Sequence, residues 1–432
     1  MKKISILNIS FNERRISILN LCLIKAFSPV NIPSIFYDNL LLYFKQMTSH
    51  LQLDKKTQHA QRVSKRFLAF ADYPTLTKDD VTLSAKALSR AQQERARTKI
   101  HDYLYTYKDT SLGYQGNQNL GGDMLKNFSN LHINNGGDPF VRGTYGVNTK
   151  VLECAVLDYF AKLWHIDLPD LVDEEKRDDA YWGYIVSMGC TEANLYALYN
   201  ARDYLSGEPL LCSETKGSCN AKPCQTDTGA KCRTRGMTDI SSNPKAFTPV
   251  AFFCENAYYG QNKAMRILRI NTFHELGSGH FPCPLTHPED YPRDYSVDLL
   301  DENGWPRLVP VNADDTIHVP SLVKLVSAFT SRGYPPIVIF TSGSAFRGSY
   351  DDTQVAIDKL MPVLKEHGLY ERHVHYSSKD PSKYDIRRGF WFHSDGALGA
   401  AHLPFLEMAI EKGAIENQFP DGFPVFDFRI PK

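Results

Sequence analysis

The sequence predicts an α/β fold built on a mainly parallel sheet. Three observations predict it. From residue 148 onward, short apolar runs alternate with helical patterns, the arrangement that buries a parallel sheet under helices on both faces. The unusual residues, glycines and a lone acidic side chain among small neighbours, sit just after the apolar runs. In such sheets ligands bind there, at the carboxyl ends of the strands. A chain of 432 residues that is 42% hydrophobic can also bury a large core.

Taken in order, residues 55–70 and 84–105 are polar with helical spacing and few breakers, as in surface or interface helices. Residues 106–147 carry eight glycines among Asn and Asp, a backbone suited to lining a pocket. Val151, Leu152, Ala155, Val156, Tyr159, Phe160, Leu163 and Trp164 fall on one face of a helix that Asn148 or Thr149 can cap. Residues 183–188 read as a strand and 191–205 as a helix. Residues 249–254 read as a strand and 260–268 as a helix. A strand at 336–341, a helix at 353–367 and a strand at 389–394 complete the series. There is no internal repeat.

Composition narrows the function. Lys plus Arg and Asp plus Glu are both 49, so the net charge is zero, which argues against a whole-protein electrostatic grip on nucleic acid or anionic lipid. No apolar run reaches the length of a membrane span. Five of the nine cysteines (Cys22, Cys154, Cys190, Cys254, Cys283) read as reduced thiols. Cys212, Cys219, Cys224 and Cys232 crowd into a polar insertion at 208–247 without a C-x-x-C pair. The basic, apolar start is interrupted before a secretory segment forms, so the expected location is cytoplasmic, and either Met1 or Met47 can be the start. The expected organisation is an uncertain extension over 1–46, a helical and pocket-lining segment over 47–147, and the α/β domain over 148–432.

Four segments carry chemistry. Ser187 to Asn194 reads as a strand end, a Gly189 turn and a helix start. Its free N–H groups and the Thr191 hydroxyl suit a phosphate. Cys254 to Gly260 puts Tyr258 and Tyr259 at another strand end, where an aromatic face can stack on a planar ligand. Thr341 to Gly348 is a small-residue loop. Phe390 to Gly399 delivers Asp395 to a strand end beside small residues, where a carboxylate can pair with a cationic ring nitrogen. Alone, each is equally a structural turn or cap. No H-E-x-x-H, G-x-S-x-G or Walker-type loop occurs, so no metal site is expected.

Together and in this order the segments resemble the large domain of group II pyridoxal-phosphate decarboxylases, most closely the histidine decarboxylases and the related plant serine decarboxylases. The resemblance spans residues 110–432 and includes Asn134-Asn135-Gly136-Gly137-Asp138-Pro139-Phe140, Gly183 to Arg202, Cys254 to Ile270, Gly343 to Asp352 and Trp391 to Phe405. It implies a fold-type I transferase-like large domain after an N-terminal helical segment, pyridoxal 5'-phosphate as cofactor, an amino-acid substrate and a homodimer. It also implies site residues. Gly189, Cys190 and Thr191 would hold the phosphate, Asp395 would face the ring nitrogen, Ala397 would pack on the ring, and Ser344 would sit beside the pocket. Asn135 and Asp138 would meet the substrate, and Tyr258 and Asp395 would be the catalytic pair.

The sequence departs from the family at three points. Tyr258 stands where the family has a stacking histidine, and Ala345 replaces a threonine. No His-Lys pair occurs anywhere, whereas the family's Schiff-base lysine lies in a Ser-x-His-Lys segment. Lys432 lacks that context. The resemblance thus implies a chain ending before the lysine strand and the small C-terminal domain. Three readings follow: a decarboxylase of which this is part, a catalytically dead binding or dimerisation partner, and another pyridoxal-phosphate carbon–carbon lyase.

Overall fold

The computed structural model describes residues 80, 87–108, 121–141, 145–166, 168, 181–208, 211–212, 233–234, 240, 243–376, 382, 384–417, 419 and 422–430. The expectations for residues 1–46 and 55–70, for Cys219, Cys224 and Cys232 and for Lys432 lie outside the described residues. The chain falls into two compact units, Met1–Ser129 and Asn130–Lys432.

In the first unit, helix α1 (Arg90–Lys108) overlaps the predicted helix at 84–105. Its start is a reciprocal cap. The Gln92 side chain accepts from the Ser89 amide at 2.9 Å, and the Ser89 hydroxyl accepts from the Gln92 amide at 3.3 Å, which satisfies two donors that the first turn leaves free. Lys99 Nζ meets Asp80 at 2.7 Å.

The second unit runs α2 (Lys150–Leu163), α3 (Cys190–Leu205), β1 (Leu211–Cys212), β2 (Arg233–Thr234), β3 (Val250–Phe253), α4 (Gly260–Leu268), β4 (Asn271–Thr272), α5 (Phe273–Gly277), α6 (Val319–Thr330), β5 (Pro336–Thr341), α7 (Thr353–Glu366), β6 (Arg372–His375), β7 (Tyr384–Arg387), β8 (Trp391–Asp395) and α8 (Gly399–Glu411). Strands β4, β3, β5 and β8 form a parallel sheet in that order, while β1–β2 and β6–β7 are antiparallel pairs.

Side-chain alternation along the two central strands builds two cores. Val250 and Phe252 of β3, with Val338 and Phe340 of β5, pack with Phe273, Leu322, Leu325, Phe329, Leu360 and Leu364 from α5, α6 and α7. Ala251 and Phe253, with Ile337 and Ile339, pack with Leu198, Ala201 and Leu205 of α3 and Ala264, Met265 and Leu268 of α4. Successive strand residues point to opposite faces, so each strand feeds both cores and reads as an unbroken apolar run. No helix among the described residues is long and apolar enough to cross a membrane.

One predicted strand does not form. Residues 183–188 pair with no described strand. Two of their amides go to carboxylates instead. The Ile185 N–H donates to Glu153 at 2.9 Å and the Met188 N–H to Glu192 at 3.0 Å. Helix α2 keeps its apolar stripe, but both sheet faces are already covered, and Val151 (76% exposed) and Leu152 (58%) lie open.

Register places the site. Thr341 pairs with Asp395 and Phe253 with Ile339, so the segments after β3, β5 and β8 leave along one edge. Two of them pack backbone to backbone. The Ser342 N–H donates to the Asp395 carbonyl at 2.9 Å and the Gly399 N–H to the Ser342 carbonyl at 2.9 Å. A Cβ on Gly399 would stand 2.3 Å from the Ser342 oxygen, so only glycine fits there.

Candidate active site at the carboxyl edge of the sheet

Asp395 ends β8 and is buried at 6% exposure. Four donors converge on it. Asn194 Nδ2 and Gln261 Nε2 reach Oδ2 at 2.9 and 2.8 Å. The Cys190 thiol and the Ala397 N–H reach Oδ1 at 3.2 and 3.3 Å. This set of donors suits a group that only accepts, as a carboxylate does. Cys190 and Asn194 lie one turn apart on α3, and Asn194 Nδ2 also approaches the Cys190 sulfur at 3.1 Å. Burial first, then the Asp395 charge, pushes the Cys190 thiol up to about 12, so it stays protonated and donates.

Behind Asn194 stands His393, whose Nε2 lies 2.8 Å from Asn194 Oδ1. An amide oxygen only accepts, so Nε2 carries the proton. Burial pushes the His393 imidazole down, against the opposing pull of Asp395. The Nε2 proton therefore holds the Asn194 oxygen toward the ring and leaves its Nδ2 facing the carboxylate.

The start of α3 supplies the second feature. Gly189 is its N-cap with φ of 86°, a left-handed conformation that glycine adopts without strain. A Cβ there would meet nothing within 4 Å, so the turn faces open space. The Glu192 and Ala193 amides both bond the Gly189 carbonyl, leaving the Cys190 and Thr191 amides, with the Thr191 hydroxyl, available at a helix N-terminus where an anion is favoured. Tyr258 adjoins this turn. A Cβ on Gly260 would lie 3.0 Å from the Tyr258 ring and 3.4 Å from Thr191 Oγ1. Tyr258 also packs on Tyr259 with ring centroids 4.3 Å apart. Its hydroxyl, followed by the Lys263 ammonium, lowers the Tyr259 pKa.

Of the residues expected from sequence, Gly189, Cys190, Thr191, Tyr258, Asp395 and Ala397 therefore come together. Ser344 lies in the loop after β5, next to the β8 end, but its hydroxyl accepts from the Ser349 amide at 3.1 Å and the Ser349 hydroxyl at 2.7 Å, which closes that loop. Asn135 and Asp138 are occupied elsewhere. Asn135 Oδ1 accepts from the Thr149 amide at 2.7 Å at the start of α2. Asp138 accepts from the Phe140 amide at 2.9 Å and from Trp182 Nε1 at 3.1 Å. No described hydrogen bond links either to the Asp395 cluster. Three residues of the cluster went unassigned in the sequence: Asn194, Gln261 and His393. The spacing of Cys190 and Asn194, i and i+4 on one helix face, was the available signal.

The residues fit pyridoxal phosphate. An open helix N-terminus with free amides suits the phosphate, and a buried carboxylate with one weakly held oxygen suits the ring nitrogen. The aromatic side chain that adjoins the phosphate turn suits the ring face.

No family model matches the chain. It is 32% identical to a histidine decarboxylase of Acinetobacter baumannii (strain AYE) over 320 residues, 74% of this chain and 55% of that protein. It is 38% identical to serine decarboxylase 1 of Oryza sativa subsp. japonica over 300 residues, 69% of this chain and 39% of that protein. The crystal structure of L-methionine decarboxylase from Streptomyces sp.590 superposes with a TM-score of 0.66 at 37% identity, covering 83% of this chain and 64% of that one. The chain thus spans about half the length of the histidine decarboxylases it matches. The ordered segments of the sequence, the parallel sheet and these similarities agree: the chain belongs to the group II pyridoxal-phosphate-dependent amino-acid decarboxylases.

Proposed function

We propose that this chain carries the cofactor-holding part of an enzyme that removes CO₂ from an L-amino acid to give the amine, with a histidine-like substrate preference. One observation carries the reading: the start of α3 and the end of β8 meet through the Cys190 and Asn194 contacts to Asp395. A phosphate turn and a ring-nitrogen carboxylate thereby face one ligand. The relatives named for histidine, serine and methionine support the substrate class, and histidine is the name they share most often.

Bound pyridoxal phosphate supplies an electron sink for the bond to carbon dioxide, and its protonated ring nitrogen is the centre of that sink. The residues of this chain hold and orient. Gly189, Cys190 and Thr191 offer backbone amides and one hydroxyl to the phosphate. Asp395 offers Oδ1 to the ring nitrogen and, by its charge, keeps a proton there. Tyr258 offers a ring face, and Ala397 leaves room beside it. Tyr258 cannot share the proton-carrying role of a histidine near neutral pH, because a phenol titrates far higher.

The phosphate turn makes the test specific. Titrated into the chain, pyridoxal phosphate binds saturably and pyridoxal, which lacks the phosphate, binds at least tenfold more weakly. Equal affinity for the two, read by quenching of protein fluorescence, would remove the reading. Amine formation from histidine, serine and methionine by the longest natural form of the protein then ranks the substrates.

The same proposal includes a homodimer. Val151 and Leu152 of α2, with Trp182, Ile185 and Met188 (79% exposed), form apolar surface that no described residue of the second unit covers. A patch of that kind marks an association surface, and a second copy has the matching surface. Sedimentation at micromolar concentration shows a dimer, which Leu152→Asp dissociates. A monomeric wild-type chain would refute this assembly.

A further inference from the structure

The two oxygens of Asp395 are held differently. Oδ2 takes two amide donors at 2.9 and 2.8 Å, from Asn194 and Gln261. Those fill its two lone pairs. Oδ1 takes a backbone amide at 3.3 Å and a thiol at 3.2 Å. A thiol is a weak donor, so the lone pair facing Cys190 is the one that a stronger donor can claim. A protonated ring nitrogen is such a donor, because charge-assisted hydrogen bonds outcompete neutral ones.

Gln261 adds an independent sign of purpose. Its side chain is fully buried, and its Oε1 has no partner among the described residues. Burying half an amide unsatisfied costs stability. A residue needed only for packing at the start of α4 would be apolar. The bond from Nε2 to Asp395 is what the amide provides.

We propose that Gln261 and Asn194 are positioning residues that saturate Asp395 Oδ2 and turn Oδ1 alone toward a ligand's ring nitrogen, with His393 fixing the Asn194 amide and the Cys190 thiol keeping the place of the absent donor. This rests on the cofactor reading above and adds which residues give the aspartate its aim. Cys190 is the displaceable member, and Asn194, His393 and Gln261 are the fixed ones.

The test compares two ligands that differ at one atom: pyridoxal phosphate and 1-deazapyridoxal phosphate, in which carbon replaces the ring nitrogen. Equilibrium dialysis against the wild-type chain gives the ratio of their dissociation constants. The wild type prefers pyridoxal phosphate at least tenfold. Gln261→Leu, close in volume, removes the orphaned oxygen together with the donor, and its melting curve, read beside the wild type's, shows that the variant is folded. Its preference falls at least threefold while its affinity for the deaza analogue is unchanged. Cys190→Ala, which clears the weak donor, raises the preference. A structural role for Gln261 would weaken both ligands alike and leave the ratio where it was. An unchanged ratio in Gln261→Leu, or a ratio lowered by Cys190→Ala, overturns the proposal. A wild-type chain that binds both ligands equally would instead overturn the reading of Asp395 itself.

Discussion

Asp395→Asn lowers the affinity of the chain for pyridoxal phosphate by about 10² to 4 × 10³. The substitution keeps shape and removes charge. The new amide oxygen still accepts from Asn194 and Gln261, which lie 2.9 and 2.8 Å away, so only the two longer contacts, from the Ala397 N–H and the Cys190 thiol, lose their acceptor. What changes is the group at Oδ1. An amide nitrogen donates and cannot accept, so a ligand's protonated ring nitrogen meets a donor where it had a carboxylate. Removing one partner of a buried charge pair costs about 3–5 kcal/mol, and each 1.4 kcal/mol is tenfold in affinity. Asp395→Ala is the poorer probe, since it strands two buried amide donors and confounds affinity with folding. Dialysis of the Asn variant decides the matter, and an affinity within threefold of wild type would mean that Asp395 does not face the ring nitrogen. Amine production by the longest natural form should fall at least as far, because the same charge keeps the proton on the electron sink.

The parts of the molecule legible in the sequence are those whose physics is local. β5 at Pro336–Thr341 and α4 at Gly260–Leu268 lie where the pattern puts them. The strand is buried on both faces and reads as one apolar run, and the helix begins at a glycine after two tyrosines. Residues 183–188 look like the same kind of run and do not behave like one. Two of their amides are taken by Glu153, 32 residues from Ile185 in sequence, and by Glu192. No local pattern announces that competition. The β6–β7 pair was missed for the opposite reason. Arg372-His373-Val374-His375 and Tyr384-Asp385-Ile386-Arg387 are too polar to read as strands. They pair because Arg372 and Arg387 bury their guanidinium groups against the last carbonyls of α3, at Leu205 and Tyr204.

The candidate site divides the same way. Asp395, Gly189 and Tyr258 stand out because each is odd for its place: an acid among apolar residues, a glycine between strand-like and helical stretches, an aromatic at a strand end. Asn194 and Gln261 are ordinary polar residues within helical patterns, and such residues usually face water. Their meeting with Asp395 spans 201 and 134 positions of sequence. Only the folded structure reveals it.

The loop after β5 holds the second large effect, and it is one of stability. Asp351 is buried at 3% exposure. Its carboxylate accepts from the Thr341 N–H at 2.6 Å and from the Ile317 N–H at 2.7 Å, tying the end of β5 to the segment that leads into α6. Asp351→Ala leaves both amides buried without an acceptor. At about 1–3 kcal/mol for each stranded group, the loss is about 2–6 kcal/mol, enough to unfold a marginal domain. The charge itself acts the other way. Burial outweighs the two amide donors, and with the Asp314 charge it pushes the Asp351 carboxyl up to about 6. In an unfolded chain an aspartate titrates near pH 3.9. Between that value and about 6 the native state therefore holds a proton that the unfolded state has already released. Stability falls as pH rises through this window and is level above it. Asp351→Asn carries no proton to lose. It strands at most one amide, because its oxygen can still accept one of the two bonds. Its stability relative to wild type accordingly improves from pH 4 to pH 6 and then holds constant. Urea unfolding of both proteins across pH 4–7 reads the difference directly. Curves that run parallel through that window would show that Asp351 is ionised throughout, and that the β5 loop is held by an ordinary carboxylate.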